Sequence, residues 1–458
     1  RRTQTYPAVQ TAGLLIQFAE PITALVIYPF IIQFVRDTGV TGGDETKTGF
    51  AGIIEAVFFL AECLTVVYFG RASESDRYGR RPVLLFGPVG LAIAMLGFGP
   101  SKRFWSLVIF RCLQGAFNGN IGVSKSVMAE VSDSTNVAEI YSLLPLMWTV
   151  GATLGPFIGG TFANPASRYP DSLGKIRIFQ EFPYLLPCAL AGALALTAFA
   201  FGVFGLKETL PSAIARQAKA KRGTETEPLI IAEPIHSCQP DTEEPVPRLR
   251  DLIVRPVLIA LLNHGFLSFC QMSYEVLATS CGFLSVSRND QRIPFSPLYI
   301  GRIMGAAGLL KVLFQLFLSA KMIRYFGARK IFITAFCSQA GGFLAYPFLT
   351  FFARRAGRVD ATVIAVIIFQ MSANWIILAY IRMHTNVDSA PTQNSLGAVN
   401  GLAQMVSSTL RSIAPTVTAS STLVSHRLLG SFVLCGLSLC GLRAFLLLPR
   451  KLRSEGGS

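Results

Sequence analysis

Long apolar blocks alternate with short polar stretches along almost the whole chain. Most blocks contain about 20 residues, the length that an α-helix needs to cross the hydrocarbon core of a bilayer. The pattern therefore predicts twelve membrane-spanning helices, numbered here as spans one to twelve. The first six spans are Thr11–Phe34, Phe50–Phe69, Pro82–Gly99, Phe104–Met128, Ile140–Phe162 and Phe182–Leu206. The second six spans are Leu258–Leu284, Leu298–Ser319, Ile331–Phe352, Ala361–Ile381, Leu396–Ala419 and Leu428–Leu448.

The composition is typical of a membrane protein and not of a soluble domain. Of the 458 residues, 51% are hydrophobic and 15% are charged, whereas an ordinary soluble domain has about 25% charged residues. The nine cysteines include no CxxC pair, so their spacing predicts neither disulfide bonds nor a metal site. The first apolar block has the full length of a span, and we therefore expect no cleavable signal peptide. Together with the twelve blocks, these features predict an all-α membrane protein.

Basic residues are concentrated in loops on one side of the membrane. With twelve spans, both termini share a side with the loops at 70–81, 129–139, 207–257, 320–330 and 382–395. This side has more Lys and Arg than the opposite side, so the positive-inside rule predicts cytosolic termini. The net charge of +15 mostly reflects this bias, and it requires no nucleic-acid partner.

Residues 207–253 divide the chain into an N-terminal part, 1–206, and a C-terminal part, 254–458. A basic run is followed by a piece that is rich in Pro and acidic residues and has no Lys or Arg, GTETEPLIIAEPIHSCQPDTEEPVP. Such a composition predicts a flexible cytosolic linker. The linker contains an acidic dileucine-like pattern formed by Glu225, Leu229 and Ile230, which can direct proteins to vacuoles or lysosomes. Short patterns of this kind are common by chance, so we favour a solvated linker, and the vacuolar and the plasma membrane both stay open.

A short basic motif occurs once in each part. Spans two and three are joined by DRYGRR (Asp76–Arg81), and spans eight and nine by RYFGARK (Arg324–Lys330). Each motif occupies the same place within its set of six helices. This repeat predicts two pseudo-symmetric six-helix bundles with a binding site between them near the midplane of the membrane.

Three motifs resemble those of the major facilitator superfamily, and the resemblance extends over nearly the whole chain. The family's loop pattern G-x-x-x-D-R-x-G-R-[RK] is matched by Asp76, Arg77, Gly79, Arg80 and Arg81, although two extra residues separate Gly70 from Asp76. In span four R-x-x-Q-G is matched by Arg111, Gln114 and Gly115. In span five the antiporter pattern G-x-x-x-G-P-x-x-G-G is matched by Gly151, Gly155, Pro156, Gly159 and Gly160. FAEPITALVIYPF of span one and FPYLLPCALAG of span six further resemble the zinc-induced-facilitator-like and fungal multidrug-exporter-like branch.

The resemblance implies the major facilitator fold and a secondary transporter that works by alternating access. It implies a non-enzymatic, monomeric protein in the lipid bilayer that exports a small organic molecule in exchange for protons, with no cofactor beyond the proton gradient. Two alternatives stay open: a facilitator or proton symporter that imports a solute, and a sensor that binds a ligand without moving it. The absence of a Walker-type glycine loop argues against ATP-driven transport.

The resemblance also assigns roles to the loop and glycine motifs. A cytosolic gate is expected in which Asp76 meets the N-terminus of span eleven near Leu396, where the helix dipole favours an anion. Arg80 is expected to pair with Glu130 or Asp133. In span five, Gly151, Gly155 and Gly159 lie on one helix face, so a neighbouring helix can approach closely.

Ionisable side chains inside the bilayer cost several kcal/mol unless they are paired or face water, and so they indicate function. The acidic candidates are Glu20, Glu55, Glu62 and Glu275, and the basic candidates are Arg111, Lys311 and Arg411. We expect Glu20, which precedes Pro21, to carry the coupled proton, with a structural ion pair as the alternative. Arg111 is expected either to hold a carboxylate such as Glu20 or to anchor an anionic substrate group. Glu62 and Lys311 occupy similar depths in equivalent helices, and we expect them to face each other.

Uncharged polar residues complete the predicted lining of the cavity. The candidates are Gln114, His264, Gln271, Gln370, Asn374, Asn400 and Gln404, with Trp148 and Trp375 as stacking walls. Each of these could instead form an ordinary hydrogen bond between helices. His264 has no partner at the spacing of metal ligands, so we expect no zinc site.

Overall fold

The structure, a computed structural model, describes most of the first half of the chain and selected segments of the second. The described residues are 7–42, 49–74, 79–130, 137–209, 254–283, 297–326, 330, 333–334, 337–344, 396–423, 434–441 and 443. Residues 210–253 of the predicted linker and most of spans nine, ten and twelve lie outside them. Within the described residues the regular structure is helical throughout.

The helices are numbered in chain order. In the first half they are α1 (Pro7–Leu25), α2 (Ile31–Asp37), α3 (Gly49–Glu74), α4 (Arg80–Phe98), α5 (Phe104–Asn118), α6 (Ile121–Glu130), α7 (Val137–Phe162), α8 (Pro165–Arg168), α9 (Arg177–Glu181) and α10 (Leu185–Gly205). In the second half they are α11 (Arg255–Phe283), α12 (Pro297–Phe314), α13 (Ala320–Phe326) and α14 (Leu396–Leu423). A π-helical turn, Gln315–Ser319, joins α12 to α13.

Six helical segments among the described residues are long and apolar enough to cross a membrane. They are Gly49–Gly70, Arg80–Phe98, Leu143–Phe162, Leu185–Gly205, Val257–Val276 and Pro297–Leu318. These correspond to the predicted spans two, three, five, six, seven and eight. Large apolar side chains on their outer faces, such as Leu64 and Phe204, are exposed, as expected for surfaces that face lipid.

Spans one and four are each broken, although the sequence pattern predicts them as continuous helices. Span one is interrupted at residues 26–30, where Pro29 has no backbone N–H to continue the helix. Span four is interrupted between Asn118 and Ile121. There Gly119 lies so close to the backbone of span two that an added Cβ atom would be 2.9 Å from Val66 N. The prediction of uninterrupted spans was therefore wrong at these two positions.

Among the described residues, the two halves contact each other mainly through two pairs of helices, α3 with α14 and α7 with α12, and to a smaller extent through α6 with α14. Within the first half, α1 packs on α7 and α10, α4 packs on α5 and α10, and α3 packs on α5. In the second half α11 packs on α14. In the described part of the chain, spans two and eleven and spans five and eight therefore form most of the interface between the halves, and span four adds a contact with span eleven.

The glycine motif of span five serves two different contacts. An added Cβ atom at Gly155 would lie 3.0 Å from the carbonyl oxygen of Ile22, and one at Gly159 would collide with the carbonyl oxygen of Val26. This face of α7 therefore lies against the backbone of span one, as the small residues predict. Gly160 instead faces the other half, since its Cβ atom would lie 2.6 Å from the Cα atom of Gly301.

Candidate functional site

A cavity lies between the two halves near the middle of the spans. Its lining comes from spans one, two, four and five of the first half and from spans seven and eleven of the second half. The lining residues are Glu20, Ala24, Leu25, Tyr28, Phe58, Phe59, Glu62, Arg111, Asn118, Trp148, Gln271, Met272, Glu275 and Arg411. Acidic, basic and aromatic side chains therefore meet at one place, where parts of both halves form the wall.

Arg111 of α5 forms a buried ion pair with Glu55 of α3. Its Nη2 atom donates to both carboxylate oxygens of Glu55, at 2.9 and 3.0 Å, and its Nη1 atom donates to Gln114 at 2.6 Å. The guanidinium group lies 4.3 Å from the ring centroid of Phe58. Arg111 is 1% exposed. The positive charge is thus matched by a carboxylate and held from two sides.

Arg111 and Gln114 also explain how span one can break inside the bilayer. A helix that ends leaves its last four carbonyl groups without partners, and in an apolar medium each such group is costly. The Arg111 guanidinium donates to the carbonyl of Ala24 at 3.0 Å, and Gln114 donates to that of Thr23 at 2.8 Å. The other two carbonyls bond to the turn after Leu25. The span-four motif therefore caps the end of α1.

Glu62 of α3 is bound by the opposite half of the protein. Gln404 and Ser408 of α14 donate to its Oε1 atom at 2.8 and 3.0 Å, and the Arg411 guanidinium interacts with it electrostatically. The three α14 residues are spaced i, i+4 and i+7, so they lie on one helix face. Glu62 is 1% exposed. A carboxylate of one half is therefore held by a polar stripe of the other.

Arg411 lies above the aromatic wall of the cavity. Its guanidinium carbon is 5.6 Å from the ring centroid of Phe59 and 5.6 Å from that of Trp148, within the range of cation–π interactions. Both rings belong to the first half, whereas Arg411 belongs to the second. This contact therefore adds to the interface between the halves.

Two further carboxylates belong to the cavity. Glu275 of α11 accepts a hydrogen bond from Gln271 at 3.4 Å and interacts electrostatically with Lys311 of α12. Glu20 of α1 accepts a hydrogen bond from Asn118 at 3.0 Å. Glu20 is 6% exposed.

The partners of two charged residues differ from those expected. Arg111 holds a carboxylate, as predicted, but it is that of Glu55 in span two and not that of Glu20. Glu62 bonds to span eleven and not to Lys311; Lys311 has Glu275 as its carboxylate neighbour. Depth along a helix could be read from the sequence, but the rotation of each helix about its axis could not.

Some of the predicted site residues lie elsewhere or outside the described residues. His264 is buried in α11 but is not part of the cavity lining. Gln370, Asn374 and Trp375 lie outside the described residues, and so does the side chain of Asn400. Among the residues that the structure describes, no group of three or more His, Cys, Asp and Glu side chains is placed to hold a metal ion.

Of the loop predicted at 70–81, residues 70–74 continue α3 and residues 79–81 are described, whereas 75–78 lie outside the described residues. Asp76, Arg77 and Asp133 lie outside the described residues, as does the side chain of Glu130, so the expected gate contacts stay predictions. The described part shows a different anchor. The carboxylate of Glu208, just after α10, accepts hydrogen bonds from the backbone N–H groups of Arg80 and Arg81 at 2.9 and 3.1 Å.

Gly79 is the residue that makes this anchor possible. Its φ of 77° and ψ of −179° lie in a region that is essentially restricted to glycine. A Cβ atom at this position would also lie 2.6 Å from the carboxylate of Glu208. The anion lies at the N-terminus of α4, where free N–H groups and the helix dipole favour it.

Sequence reasoning missed several residues of the site. Tyr28, Phe58, Phe59 and Asn118 line the cavity but were not among the candidates. A helical period could have found Asn118, since it follows Arg111 by seven residues and so lies on the same face of span four. Glu208 gave no such signal, because its role depends on a fold contact between spans three and six.

Comparison with known proteins shows which family has this architecture. The sequence model of the Major Facilitator Superfamily matches residues 13–415. The chain is 31% identical over 432 residues to the major facilitator-type transporter psiT2 of Psilocybe cubensis, covering 88% of this chain and 82% of that protein. It is 27% identical to the major facilitator superfamily multidrug transporter mfsB of Aspergillus fumigatus, covering 88% and 76%. It is 26% identical to Protein ZINC INDUCED FACILITATOR 1 of Arabidopsis thaliana, covering 86% and 79%.

A solved structure supports the same fold. The chain superposes on the crystal structure of the human organic anion transporter MFSD10 (TETRAN) with a TM-score of 0.64 and 18% sequence identity, over 97% of this chain and 100% of that chain. The predicted twelve-helix fold of two six-helix bundles is therefore confirmed, as is the resemblance to fungal multidrug transporters and zinc-induced facilitators. The chain belongs to the Major Facilitator Superfamily, and it is a multi-pass membrane transporter and not an enzyme.

Proposed function

We propose that this transporter exports a small organic molecule in exchange for protons, by exposing the cavity to the two sides of the membrane in turn. The observation that carries the proposal is the cavity between the halves, whose wall contains ionisable groups from both. A site built in this way changes its exposure when the halves move relative to each other.

The charges in and behind the cavity wall favour a proton as the coupling ion. Four carboxylates, of Glu20, Glu55, Glu62 and Glu275, lie near three basic groups, of Arg111, Lys311 and Arg411. One bound proton would make this group electrically neutral. An uncompensated charge in the bilayer is costly. When the proton leaves, another cation therefore takes its place or the charged groups rearrange.

Glu20 is the carboxylate that we assign to proton binding. It lines the cavity, and its described hydrogen bond comes from a neutral amide, that of Asn118. Glu55, in contrast, is held by the bidentate contact with Arg111. A carboxylate beside a neutral donor can change its charge without leaving a buried guanidinium without its anion.

Outward transport is supported by the name of a relative. A relative from Aspergillus niger, 27% identical over 403 residues, is the efflux pump azaK, which favours export over import. This chain also has the complete glycine motif that resembles the antiporter branch, and that motif favours an antiporter over a sensor.

The test uses purified protein in proteoliposomes that contain a trapped pH-sensitive dye. An untargeted comparison of the metabolites retained by cells with and without the protein supplies candidate substrates. Each candidate is then added with and without a pH gradient, and both proton movement and solute movement are recorded. We expect the transported compound to move protons in the opposite direction.

Glu20→Gln should abolish transport driven by the pH gradient and leave solute counterflow largely intact, because the proton site is lost and the cavity is not. Glu181→Gln is the matched control, since Glu181 is an exposed carboxylate outside the spans that pairs with Lys102. If the solute flux of the wild type does not depend on the pH gradient, the protein is a facilitator. If solute and protons move in the same direction, it is a symporter. If the solute binds but is not transported, it is a sensor.

A further inference from the structure

Asn118 lies between two carboxylates that belong to different parts of the cavity. It is the last residue of α5, where span four is broken, and it is 2% exposed. Its Nδ2 atom donates to Glu20 of span one at 3.0 Å. The same side chain also interacts with the Glu62 carboxylate of span two and favours its ionised form. One buried amide therefore contacts both acids.

The amide oxygen of Asn118 is the second observation. This Oδ1 atom is buried and has no hydrogen-bond partner in the described part of the protein. A buried acceptor without a donor is costly. An ionised carboxylate cannot supply that donor, whereas a protonated carboxyl group can, because it carries an O–H.

We propose that Asn118 is a positioning residue that links the protonation of Glu20 to the hydrogen bonds between Glu62 and span eleven. The proposal rests on the proton-coupled function proposed above. When both acids are ionised, the Asn118 NH₂ group donates to both. When Glu20 takes up a proton, its new O–H donates to the Asn118 oxygen, and the amide turns away from Glu62.

The link reaches the interface because Glu62 joins the halves. Its carboxylate is held from α14 by Gln404, Ser408 and Arg411, and the loss of the Asn118 bond changes the charge density available to these donors. Charge-assisted hydrogen bonds are about twice as strong as neutral ones. A proton on Glu20 therefore strengthens the contact between spans two and eleven, because the donors of α14 no longer share the Glu62 carboxylate with Asn118.

The other charged groups near Glu20 and Glu62 have partners of their own. Glu20 shares the cavity with Arg111 of span four and Glu275 of span seven. Arg111 is matched by Glu55, and Glu275 by Lys311. The chain from Glu20 through Asn118 to Glu62 is thus the route by which a change of charge at span one reaches span eleven.

The experiment measures the distance between the halves as a function of pH, with protons as the sole ligand. Spin labels are placed at Phe204 and Tyr325, which are 90% and 83% exposed and lie near the ends of spans six and eight on the predicted cytosolic side. The native cysteines are replaced, and the protein is reconstituted in lipid nanodiscs. Pulsed electron paramagnetic resonance then gives the distribution of distances between the two labels at about pH 5 and about pH 8.

We expect the protein with Asn118 intact to change the ratio of short to long distances about tenfold between the two pH values, which corresponds to about 1.4 kcal/mol. Asn118→Ala should reduce this change to less than about twofold. Asn120→Ala is the matched control, because Asn120 is a buried amide two residues away that donates to the Leu84 carbonyl at 3.2 Å and should leave the change intact.

The outcomes separate the two proposals. A full pH response in Asn118→Ala overturns the link but leaves proton coupling standing. No pH response with Asn118 intact overturns proton coupling and the link together. Should Asn118→Ala fail to reach the membrane, Asn118→Leu preserves the side-chain volume and removes the amide, and the same comparison applies. A loss of the response in both Asn118→Ala and Asn120→Ala would show that any damage at the break abolishes it, which also overturns the link.

Discussion

At the residue scale, the contrast between two ion pairs shows what burial does to a charge. Arg111 and Glu55 are buried, with exposed side-chain fractions of 1% and 6%, whereas Lys102 and Glu181 form an even shorter pair, at 2.6 Å, that is 61% and 51% exposed. In water an ion pair gains little, but in an apolar environment removing one partner leaves a charge that nothing solvates. Arg111 is therefore expected to matter for stability.

Arg111→Ala should lower the free energy of unfolding by about 3–5 kcal/mol, the usual cost of breaking a buried ion pair. The loss also exposes the carbonyls at the end of α1. Adding Glu55→Gln to this variant should recover part of the loss, because it removes the unmatched carboxylate. Lys102→Ala should leave the melting temperature in detergent unchanged.

Thermal unfolding of the purified variants decides the point. If Arg111→Ala melts like the wild type but loses binding of the identified substrate, Arg111 anchors an anionic substrate group, which is the alternative that the sequence left open. If surface expression and activity fall together, the structural role stands.

The limits of the sequence at this scale are clear from the same residues. The presence of buried acids and bases could be predicted, because charged residues are rare in apolar blocks and easy to recognise. Their partners could not, since Arg111 can reach span one or span two depending on helix rotation. Asn118 was missed because a single Asn in an apolar span is as compatible with helix packing as with a functional contact.

At the element scale, the start of span three depends on a glycine and on a carboxylate from the end of span six. Gly79→Ala should destabilise the protein by about 1–3 kcal/mol from backbone strain, and by more because the new Cβ atom meets Glu208. Gly39→Ala is the matched control: Gly39 also has a φ of 77° but has nothing within 4 Å of the added atom. The difference between their melting temperatures therefore isolates the Glu208 contact.

A second change tests the cap itself. Glu208→Gln retains the shape of the side chain and removes the charge that favours the N-terminus of α4, an effect of about 0.3–2 kcal/mol. A melting temperature as low as that of Gly79→Ala is not expected. Equal melting temperatures for Gly79→Ala and Gly39→Ala would contradict the importance of the contact.

The breaks in spans one and four show why the positions of the spans were predicted better than the course of the helix within each span. Apolar residues continue through 26–30, so a hydrophobicity pattern gives little reason to end a helix there. Span four, in contrast, breaks at Asn118, Gly119 and Asn120, an Asn-Gly turn signal that the prediction of one continuous span overlooked. The break after Leu25 is stabilised by Gln114 and Arg111 from another span. A tertiary contact of this kind leaves no mark in the local sequence beyond the polar residues themselves.

At the scale of the whole molecule, spans five and eight join the two halves on the side opposite the 70–81 loop. There the backbones of spans five and eight touch, since a Cβ atom at Gly160 would lie 2.5 Å from the carbonyl oxygen of Pro297. Close backbone contact between small residues permits tight packing that can be separated without disrupting large side chains. The cavity can therefore open on this side by a movement of one half against the other.

Alternating exposure of this cavity, driven by protons, is the central claim of the account. The most direct measurement introduces a cysteine at Leu25, an apolar lining residue, and labels it with a membrane-impermeant thiol reagent from each side of sealed vesicles. We expect the ratio of the labelling rates from the two sides to change about tenfold when the pH gradient is reversed. In Gly160→Ala, the side opposite the 70–81 loop should be more reactive at every pH. A ratio that stays constant when the gradient is reversed would contradict the account.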